Sequence, residues 1–96
     1  MRKYLVLILP AAKEEIYEAR KWYNQYDNEL PVRFTEELKW VIEALKSRPT
    51  VHAIRYRNVI LAQLNKFPYS VHYFIDEAAF TVNIIAVHHK ARNILG

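Results

Sequence analysis

The 96-residue chain contains no cysteine and a single glycine, Gly96. Without cysteine, disulfide bonds and thiolate metal sites are excluded, and the composition suits a reducing compartment such as the cytoplasm. Without an internal glycine, no glycine-rich loop can place backbone amides around a phosphate. Protein classes that depend on such a loop to hold a nucleotide are therefore excluded as well.

Long hydrophobic runs are absent too. The apolar run from Tyr4 to Leu9 is six residues long and ends at Pro10. It is too short to span a bilayer, and no small-residue cleavage site follows it as in a signal peptide. We therefore interpret residues 3–9 as a strand that is fully buried or nearly so.

Charge is plentiful but unevenly distributed, with a formal net charge of +4. After Glu43 only Asp76 and Glu77 are acidic, whereas the same part of the chain holds seven lysines and arginines and all four histidines. One part of the fold should therefore be electropositive, which favours a polyanionic or acidic partner. Ninety-six residues with 52% hydrophobic content are enough for one compact domain covering residues 1–96.

Two amphipathic helices are predicted before residue 50. Pro10 suits the first turn of a helix, and apolar residues recur at helical spacing from Ala11 to about Tyr26. Asn28 is the residue expected to terminate this helix. The second helix should begin near Pro31 and run to about Ser47. Its apolar stripe is regular and comprises Phe34, Leu38, Val41, Ile42 and Leu45.

The rest of the chain is strand-like. Strands are predicted over residues 53–57, 59–64, 69–75 and 80–88. In the third of these, one face carries Tyr69, Val71, Tyr73 and Ile75 and should lie against the core. The other face carries Ser70, His72 and Phe74; the hydroxyl and the imidazole can lie near solvent, but Phe74 must be covered. The order predicts an α+β fold: an N-terminal strand and an antiparallel helical hairpin packed on a twisted, mainly antiparallel sheet of four to five strands.

The densest polar cluster follows the last strand and consists of His88, His89, Lys90 and Arg92. Adjacent strand residues point to opposite faces, so the two histidines are poorly placed to share a metal, and no metal is expected. Either histidine can be a structural residue at the sheet end that donates to a backbone carbonyl. The alternative is that one imidazole faces an anionic ligand, as a neutral hydrogen-bonding group or as a proton carrier. No Ser-His-Asp pattern and no pair of catalytic carboxylates is apparent.

A second basic group lies on the predicted strand at residues 53–57. Arg55 and Arg57 share a face if this segment is extended, and Lys66 and His72 on neighbouring strands could lie close to them. Such a group can bind phosphates, or it can simply protect an edge strand with charge. Both alternatives remain open at this point.

Four local motifs, taken together and in order, resemble the RelE/ParE superfamily of toxins from type II toxin–antitoxin systems, which includes the plasmid stabilization proteins. The motifs are Pro10-Ala11-Ala12 with Glu15-Ile16 and Ala19-Arg20-Lys21-Trp22-Tyr23, then Phe34 with Glu37-Leu38 and Pro49, then Lys66-Phe67-Pro68-Tyr69 with Val71-His72-Tyr73, and finally Val87-His88-His89-Lys90-Ala91-Arg92-Asn93. His89 and Arg92 occupy the positions of the family's final histidine and arginine.

The resemblance implies a bacterial toxin without cofactors that is neutralised by an acidic, partly disordered antitoxin, in a toxin–antitoxin hetero-oligomer. Trp22, Tyr26 and Trp40 are the expected antitoxin contacts. The resemblance also implies one of two activities: inhibition of DNA gyrase in the ParE branch, or metal-free cleavage of mRNA on the ribosome in the RelE branch. An inactive relative that only binds its antitoxin is a third alternative.

The two activities place different demands on the residues. Metal-free RNA cleavage needs a base, an acid and a phosphate-binding cation, for which His89, Arg92 and Arg57 are the candidates. For an anionic ligand or target the candidates are Arg55, Arg57, Lys66, His72, Lys90 and Arg92. The tail Asn93-Ile94-Leu95-Gly96 lacks the tyrosine, and the chain lacks the lysine-rich segment, of the RNA-cleaving branch. These departures favour the ParE-like interpretation.

Overall fold

The structure is a computed structural model that describes residues 3–50 and 54–93, with the side chains of residues 54–56 and 92–93 left outside the description. Its elements in chain order are β1 (Leu5–Ile8), α1 (Pro10–Asn24), α2 (Leu30–Ser47), β2 (Ile54–Tyr56), β3 (Val59–Gln63), β4 (Tyr69–Asp76), β5 (Thr81–His89) and α3 (Lys90–Asn93). The strands form one sheet in the order β1-β5-β4-β3-β2. Only β1 and β5 are parallel. This arrangement confirms the predicted α+β fold.

The core lies between the helical hairpin and one face of the sheet. Phe34, Leu38 and Leu45 of α2 pack against Val71 and Tyr73 of β4 in one cluster of buried residues. The aromatic face predicted for β4 is therefore the core face, as expected. A buried hydroxyl joins the layers, since Tyr73 donates a hydrogen bond of 2.5 Å to the Pro49 carbonyl, just beyond the end of α2.

The hairpin turn differs from the prediction in one detail. Helix α1 ends at Asn24, earlier than the expected stop at Asn28. The Tyr26 amide bonds back to the Tyr23 carbonyl at 3.1 Å, which tightens the last turn. The Asp27 carboxylate then accepts the Glu29 amide at 2.8 Å, forming an Asx-type turn that leads into α2. The Asx-type turn at Asp27 is therefore part of the reversal, and the helix ends before the predicted Asn28.

The prediction that the first strand is fully buried is wrong. Strand β1 pairs with β5 alone and forms an edge of the sheet. Val6 and Ile8 pack on the core, whereas Leu5 is 60% and Leu7 is 43% exposed. A continuous apolar run predicts burial on both faces, but here the helices cover only one of them.

The sheet face away from the helices, called the distal face below, also differs from expectation. Ser70 and His72 were expected near solvent, but they are 0% and 4% exposed, while Phe74 is 36% exposed. The register explains this difference. Ser70 lies between Gln63 and His88, and His72 between Leu61 and Ala86, so cross-strand neighbours enclose both side chains.

Candidate functional site: a histidine cluster and two basic sheet ends

Glu15 of α1 completes the edge of β5 at the point where β1 stops. The pairing of β1 with β5 ends at Ile8 and Ile84, because the chain turns into α1 at Pro10. Further along β5, the Val87 amide donates to Glu15 Oε1 at 2.8 Å, and His88 Nε2 lies 2.7 Å from Glu15 Oε2. One carboxylate thus takes the place of a neighbouring strand and orients the His88 ring.

His72 and His88 meet on the distal face. Their ring centroids are 4.8 Å apart, because the pairing of Ser70 with His88 and of His72 with Ala86 makes the two histidines diagonal cross-strand neighbours. Burial lowers the pKa of His72, and the neighbouring His88 lowers it further, with partial opposition from Glu15. His72 is therefore neutral near pH 7, and an anion on the surface cannot reach a side chain that is 4% exposed.

His89 points to the opposite face from His88, as predicted for adjacent strand residues. Its ring stands edge-on to Tyr69 at 5.2 Å, on the core side of the sheet. The Ala91 amide donates to His89 Nδ1 at 3.0 Å, at the start of α3. Because Nδ1 accepts this hydrogen bond, the proton of the neutral ring lies on Nε2. His89 thereby fixes the junction of β5 and α3.

The predicted basic residues separate to two ends of the sheet. Lys66 lies in the β3–β4 loop, and Lys90 lies at the same end, because its amide donates to the Pro68 carbonyl at 2.8 Å. Arg57 lies in the β2–β3 turn, at the other end of β3, which is five residues or about 17 Å long. The expected proximity of Arg57 to Lys66 is therefore not found. Arg55 and Arg92 have their backbones in β2 and α3, and their side chains fall outside the described part of the chain.

Arg57 also adopts an unusual backbone conformation. It has a φ of 41°, and Asn58 follows with 67°, as the two central residues of a tight hairpin turn require. A non-glycine residue costs about 1 kcal/mol in this left-handed region. The turn therefore presents an exposed guanidinium group at a position where glycine would fit with less strain.

Three of the large exposed side chains on the helical hairpin are those expected to contact an antitoxin. Trp22 is 53%, Tyr26 is 66% and Trp40 is 67% exposed, and the rings of Trp22 and Tyr26 make an edge contact at 5.6 Å. Tyr23 differs from them, since it packs on Phe67 at 5.0 Å within the core. The three exposed rings remain available to a partner.

Two carboxylates within the family motifs, Glu15 and Glu37, make contacts that were not predicted from the sequence. Glu15 shares the buried side of α1 with Ala12 and Ala19, at spacings of three and four residues. A charged residue on a buried stripe was the available signal. Glu37 accepts the Asn65 amide at 2.6 Å and the Lys66 amide at 3.1 Å, so it ties the β3–β4 loop to α2. No local pattern indicates that long-range contact.

The described residues show neither a metal-binding cluster nor a helix that could span a membrane. Across residues 3–50 and 54–93, no three histidine, aspartate or glutamate side chains are grouped so that they could hold a metal ion. Among those same residues, no helix combines the length and the apolar character needed to cross a membrane.

Three solved structures that share this fold come from toxin–antitoxin systems. The chain is similar to one in the chromosomal ParDE system of P. aeruginosa, with a TM-score of 0.77 and 12% identity over 90% of this chain and 95% of the other. It is similar to one in the RelBE2 toxin–antitoxin complex of Mycobacterium tuberculosis, with a TM-score of 0.66 and 22% identity over 91% and 98%. For the E. coli RelBE complex the TM-score is 0.58, with 18% identity over 88% and 93%. At these identities the likeness establishes the fold.

The comparison with family models establishes the family of the chain as well as its fold. No curated protein is significantly similar to the chain in sequence. The model of the ParE toxin of the parDE type II toxin–antitoxin system, however, matches residues 6–94. That match covers every helix and nearly all of every strand described above. The chain therefore belongs to the ParE toxin family of type II toxin–antitoxin systems.

Proposed function

We propose that this chain is a toxin that acts by binding a protein target, such as DNA gyrase, and that it does not cleave RNA. The observation that carries the proposal is the state of the three imidazoles within the described residues. His72 is buried, His88 Nε2 is paired with Glu15, and His89 Nδ1 accepts a backbone amide. Each ring has a structural task, which argues against a poised general base.

Metal-free RNA cleavage places specific requirements on the geometry of its catalytic side chains. A base must take the proton of a 2′-hydroxyl while cations stabilise the phosphate within a few ångströms. The lone pair on His89 Nδ1 is already used by the Ala91 amide, and Arg57 lies at the far end of β3 from Lys66. Arg57 therefore cannot act on the same phosphate as the residues at the Lys66 end of the sheet.

One observation favours the RelE-like alternative. Lys66, His89 and Lys90 lie at the same end of the sheet as the backbone of α3, which carries Arg92. That end is a basic surface where an RNA could bind. The assays below therefore separate both activities, as well as an inactive relative that only binds its antitoxin.

We further propose a cognate antitoxin as the partner. The neighbours include two complexes of toxin and antitoxin, and this chain is basic, with a net charge of +4. Trp22, Tyr26 and Trp40 offer amphipathic rings on the helical hairpin. An acidic, partly disordered segment that folds on binding would cover such a surface in a hetero-oligomer.

Expression of the chain alone tests the activity. Target binding of the ParE type predicts growth arrest with DNA damage, inhibition of supercoiling by purified gyrase, and intact mRNA in a translation extract. A RelE-like toxin predicts the reverse: new mRNA ends at ribosome-occupied codons and unaffected supercoiling. No arrest and neither biochemical effect would indicate an inactive relative.

A substitution at His89 sharpens this test. His89→Ala should leave toxicity within about threefold of the wild type, provided that the variant is folded, because the ring is not needed for chemistry. Lys39→Ala, on the exposed side of α2, is the matched control. A folded His89→Ala variant with transcript cleavage lowered about a hundredfold or more would instead identify a general acid or base and overturn the proposal.

A further inference from the structure

Residues 5–7 of β1, 57–58 of the β2–β3 turn and 74–80 of the β4–β5 hairpin lie at one end of the sheet, called the turn end below. Strand β3 begins, β4 ends and β5 begins at this end, because β4 is antiparallel to both of its neighbours. Strand β1 also begins here, since it is parallel to β5. The turn end is therefore opposite to the end of the sheet that carries Lys66 and Lys90.

The strained backbone of the described residues is confined to the turn end. A positive φ occurs at Arg57 with 41°, at Asn58 with 67° and at Phe80 with 53°. Asparagine adopts this conformation readily, and the ring of Phe80 stacks on Tyr4 at 4.1 Å, so packing accounts for that residue. The side chain of Arg57, however, is exposed and forms no ion pair or hydrogen bond with another of the described residues. Because strained residues concentrate at functional sites, this conformation points to a function for the guanidinium group.

Exposed apolar side chains lie on the distal face at the same end of the sheet. Leu5 is 60%, Leu7 is 43% and Phe74 is 36% exposed. Leu7 and Phe74 pair with the same residue of β5, Asn83, so two strand spacings, or about 10 Å, separate their backbones. The start of β3 pairs with the end of β4, which places the Arg57 turn within roughly 10 Å of Phe74. The result is an apolar strip with a guanidinium group at its border.

The chemistry of the turn end suits a protein surface better than a nucleic acid. Its carboxylates already have partners, since Asp76 accepts the Ala79 amide at 3.1 Å and Glu77 accepts the Tyr4 hydroxyl at 2.8 Å. Arg57 is thus the charged group here that can take a carboxylate from outside, in a pair of parallel hydrogen bonds. An apolar centre with charges of both signs at its border is typical of protein–protein interfaces. A nucleic acid would instead require cations along the whole surface.

We propose that the turn end binds the protein target of this toxin, through an ion pair between Arg57 and a carboxylate and through apolar contacts to the exposed leucines. The inference rests on the proposed function, because it gives the location of the contact with a protein target. It goes beyond that function by separating the target-binding surface from the exposed rings of the helical hairpin and from the basic end of the sheet at Lys66.

The β2–β3 turn supplies two variants that separate function from stability. Arg57→Gly removes the guanidinium group and relieves the backbone strain, so the midpoint of urea unfolding should be unchanged or higher. The same variant should need about tenfold more inducer than the wild type to arrest growth at equal protein level, as expected for a central interface residue. Asn58→Gly is the matched control, because it relaxes the same turn and keeps the guanidinium group; it should arrest growth within about twofold of the wild type. A purely structural role of Arg57 would not lower toxicity while stability is retained.

Substitutions on β1 test the apolar contact. The double variant Leu5→Thr/Leu7→Thr keeps side chains that suit a strand, and it should also need about tenfold more inducer. Val32→Thr, at a side chain of α2 that is 56% exposed, is the matched control and should stay within about twofold of the wild type. Immunoblots and circular dichroism establish that each variant accumulates and folds. A fluorescently labelled DNA duplex of twenty base pairs tests for nucleic-acid binding, and its Kd should be the same for the wild type and Arg57→Gly.

Four outcomes would overturn the inference: full toxicity of Arg57→Gly, full toxicity of the leucine double variant, an equal loss in Asn58→Gly, or weaker binding of the DNA duplex by Arg57→Gly. The wild-type chain keeps this result distinct from the proposed function. If the wild type arrests growth without cleaving transcripts and the variants do the same, only the assignment of the surface fails. If the wild type arrests nothing, or cleaves transcripts, the proposed function fails and the assignment fails with it.

Discussion

Replacing Glu15 by alanine should destabilise the fold more than any exposed substitution on the same helix. The change leaves the Val87 amide, now 2.8 Å from Glu15 Oε1, without its acceptor at a residue that is 2% exposed. An unsatisfied donor of this kind costs about 1–3 kcal/mol. Loss of the His88 contact adds about 0–1 kcal/mol, because both side chains of that pair are partly solvated. We therefore expect a total loss of about 2 kcal/mol.

Urea unfolding followed by circular dichroism measures this loss, and thermal unfolding should show a fall of roughly 10 °C in Tm. Glu15→Gln is the informative comparison, because the oxygen of its side-chain amide can still accept the hydrogen bond from Val87. This variant should lose no more than half of the free energy that Glu15→Ala loses. Glu14→Ala, exposed on the same turn, controls for helix propensity and should stay within about 0.5 kcal/mol of wild type. The reasoning is refuted if Glu15→Ala costs no more than Glu14→Ala.

Two further predictions concern buried titratable groups on β4. Because burial, and then His88, lowers the folded-state pKa of His72, the unfolded chain binds the proton more tightly. The free energy of unfolding should therefore fall as the pH drops below about 6.5. In urea titrations at several pH values, His72→Gln should reduce this dependence on pH. An unchanged dependence would contradict the role given to His72. Burial also raises the pKa of Tyr73 to about 12, and its hydroxyl donates to the Pro49 carbonyl. Tyr73→Phe should lower the free energy of unfolding by about 1–2 kcal/mol, whereas Tyr17→Phe, at an exposed tyrosine, should leave it almost unchanged. Equal losses in the two variants would show that the buried hydrogen bond does not stabilise the fold.

The carboxylate of Glu15 also affects how the sheet is protected. Beyond Ile84, the amides of β5 on the side of β1 would otherwise form an open edge that can pair with another chain. Glu15 occupies the Val87 amide and places a charge beside it. If Glu15→Ala aggregates, the exposed edge of β5 at Val87 would therefore be a cause in addition to the lower stability of the variant.

The helices and central strands could be predicted because their signals are local. The apolar stripe from Phe34 to Leu45 needs only the helical period, and it faces the core as expected. The alternation along β4 likewise identifies Tyr69, Val71 and Tyr73 as core residues. Family membership was also predictable, because it depends on motifs spread along the chain in order.

The errors fall where the outcome depends on pairing between distant segments. The exposure of Leu5 and Leu7 follows from the edge position of β1, and sequence period does not specify the place of a strand in a sheet. The burial of His72 depends on its cross-strand neighbours, which the register of β3 and β5 decides. Arg57 and Lys66 are separated for a simpler reason, since they lie at opposite ends of the extended strand β3.

By itself, then, the sequence determined the two long helices, the central strands, the core faces of α2 and β4, and the family, because side-chain period is a local property and motif order can be read along the chain. Only the tertiary structure decided that Glu15 meets Val87 and His88, that His72 is enclosed, and that Leu7 and Phe74 lie in one row of the sheet. The physical reason is that these contacts join residues far apart in the chain. Their geometry arises from the packing of helices on the sheet and from strand register, which no short segment encodes.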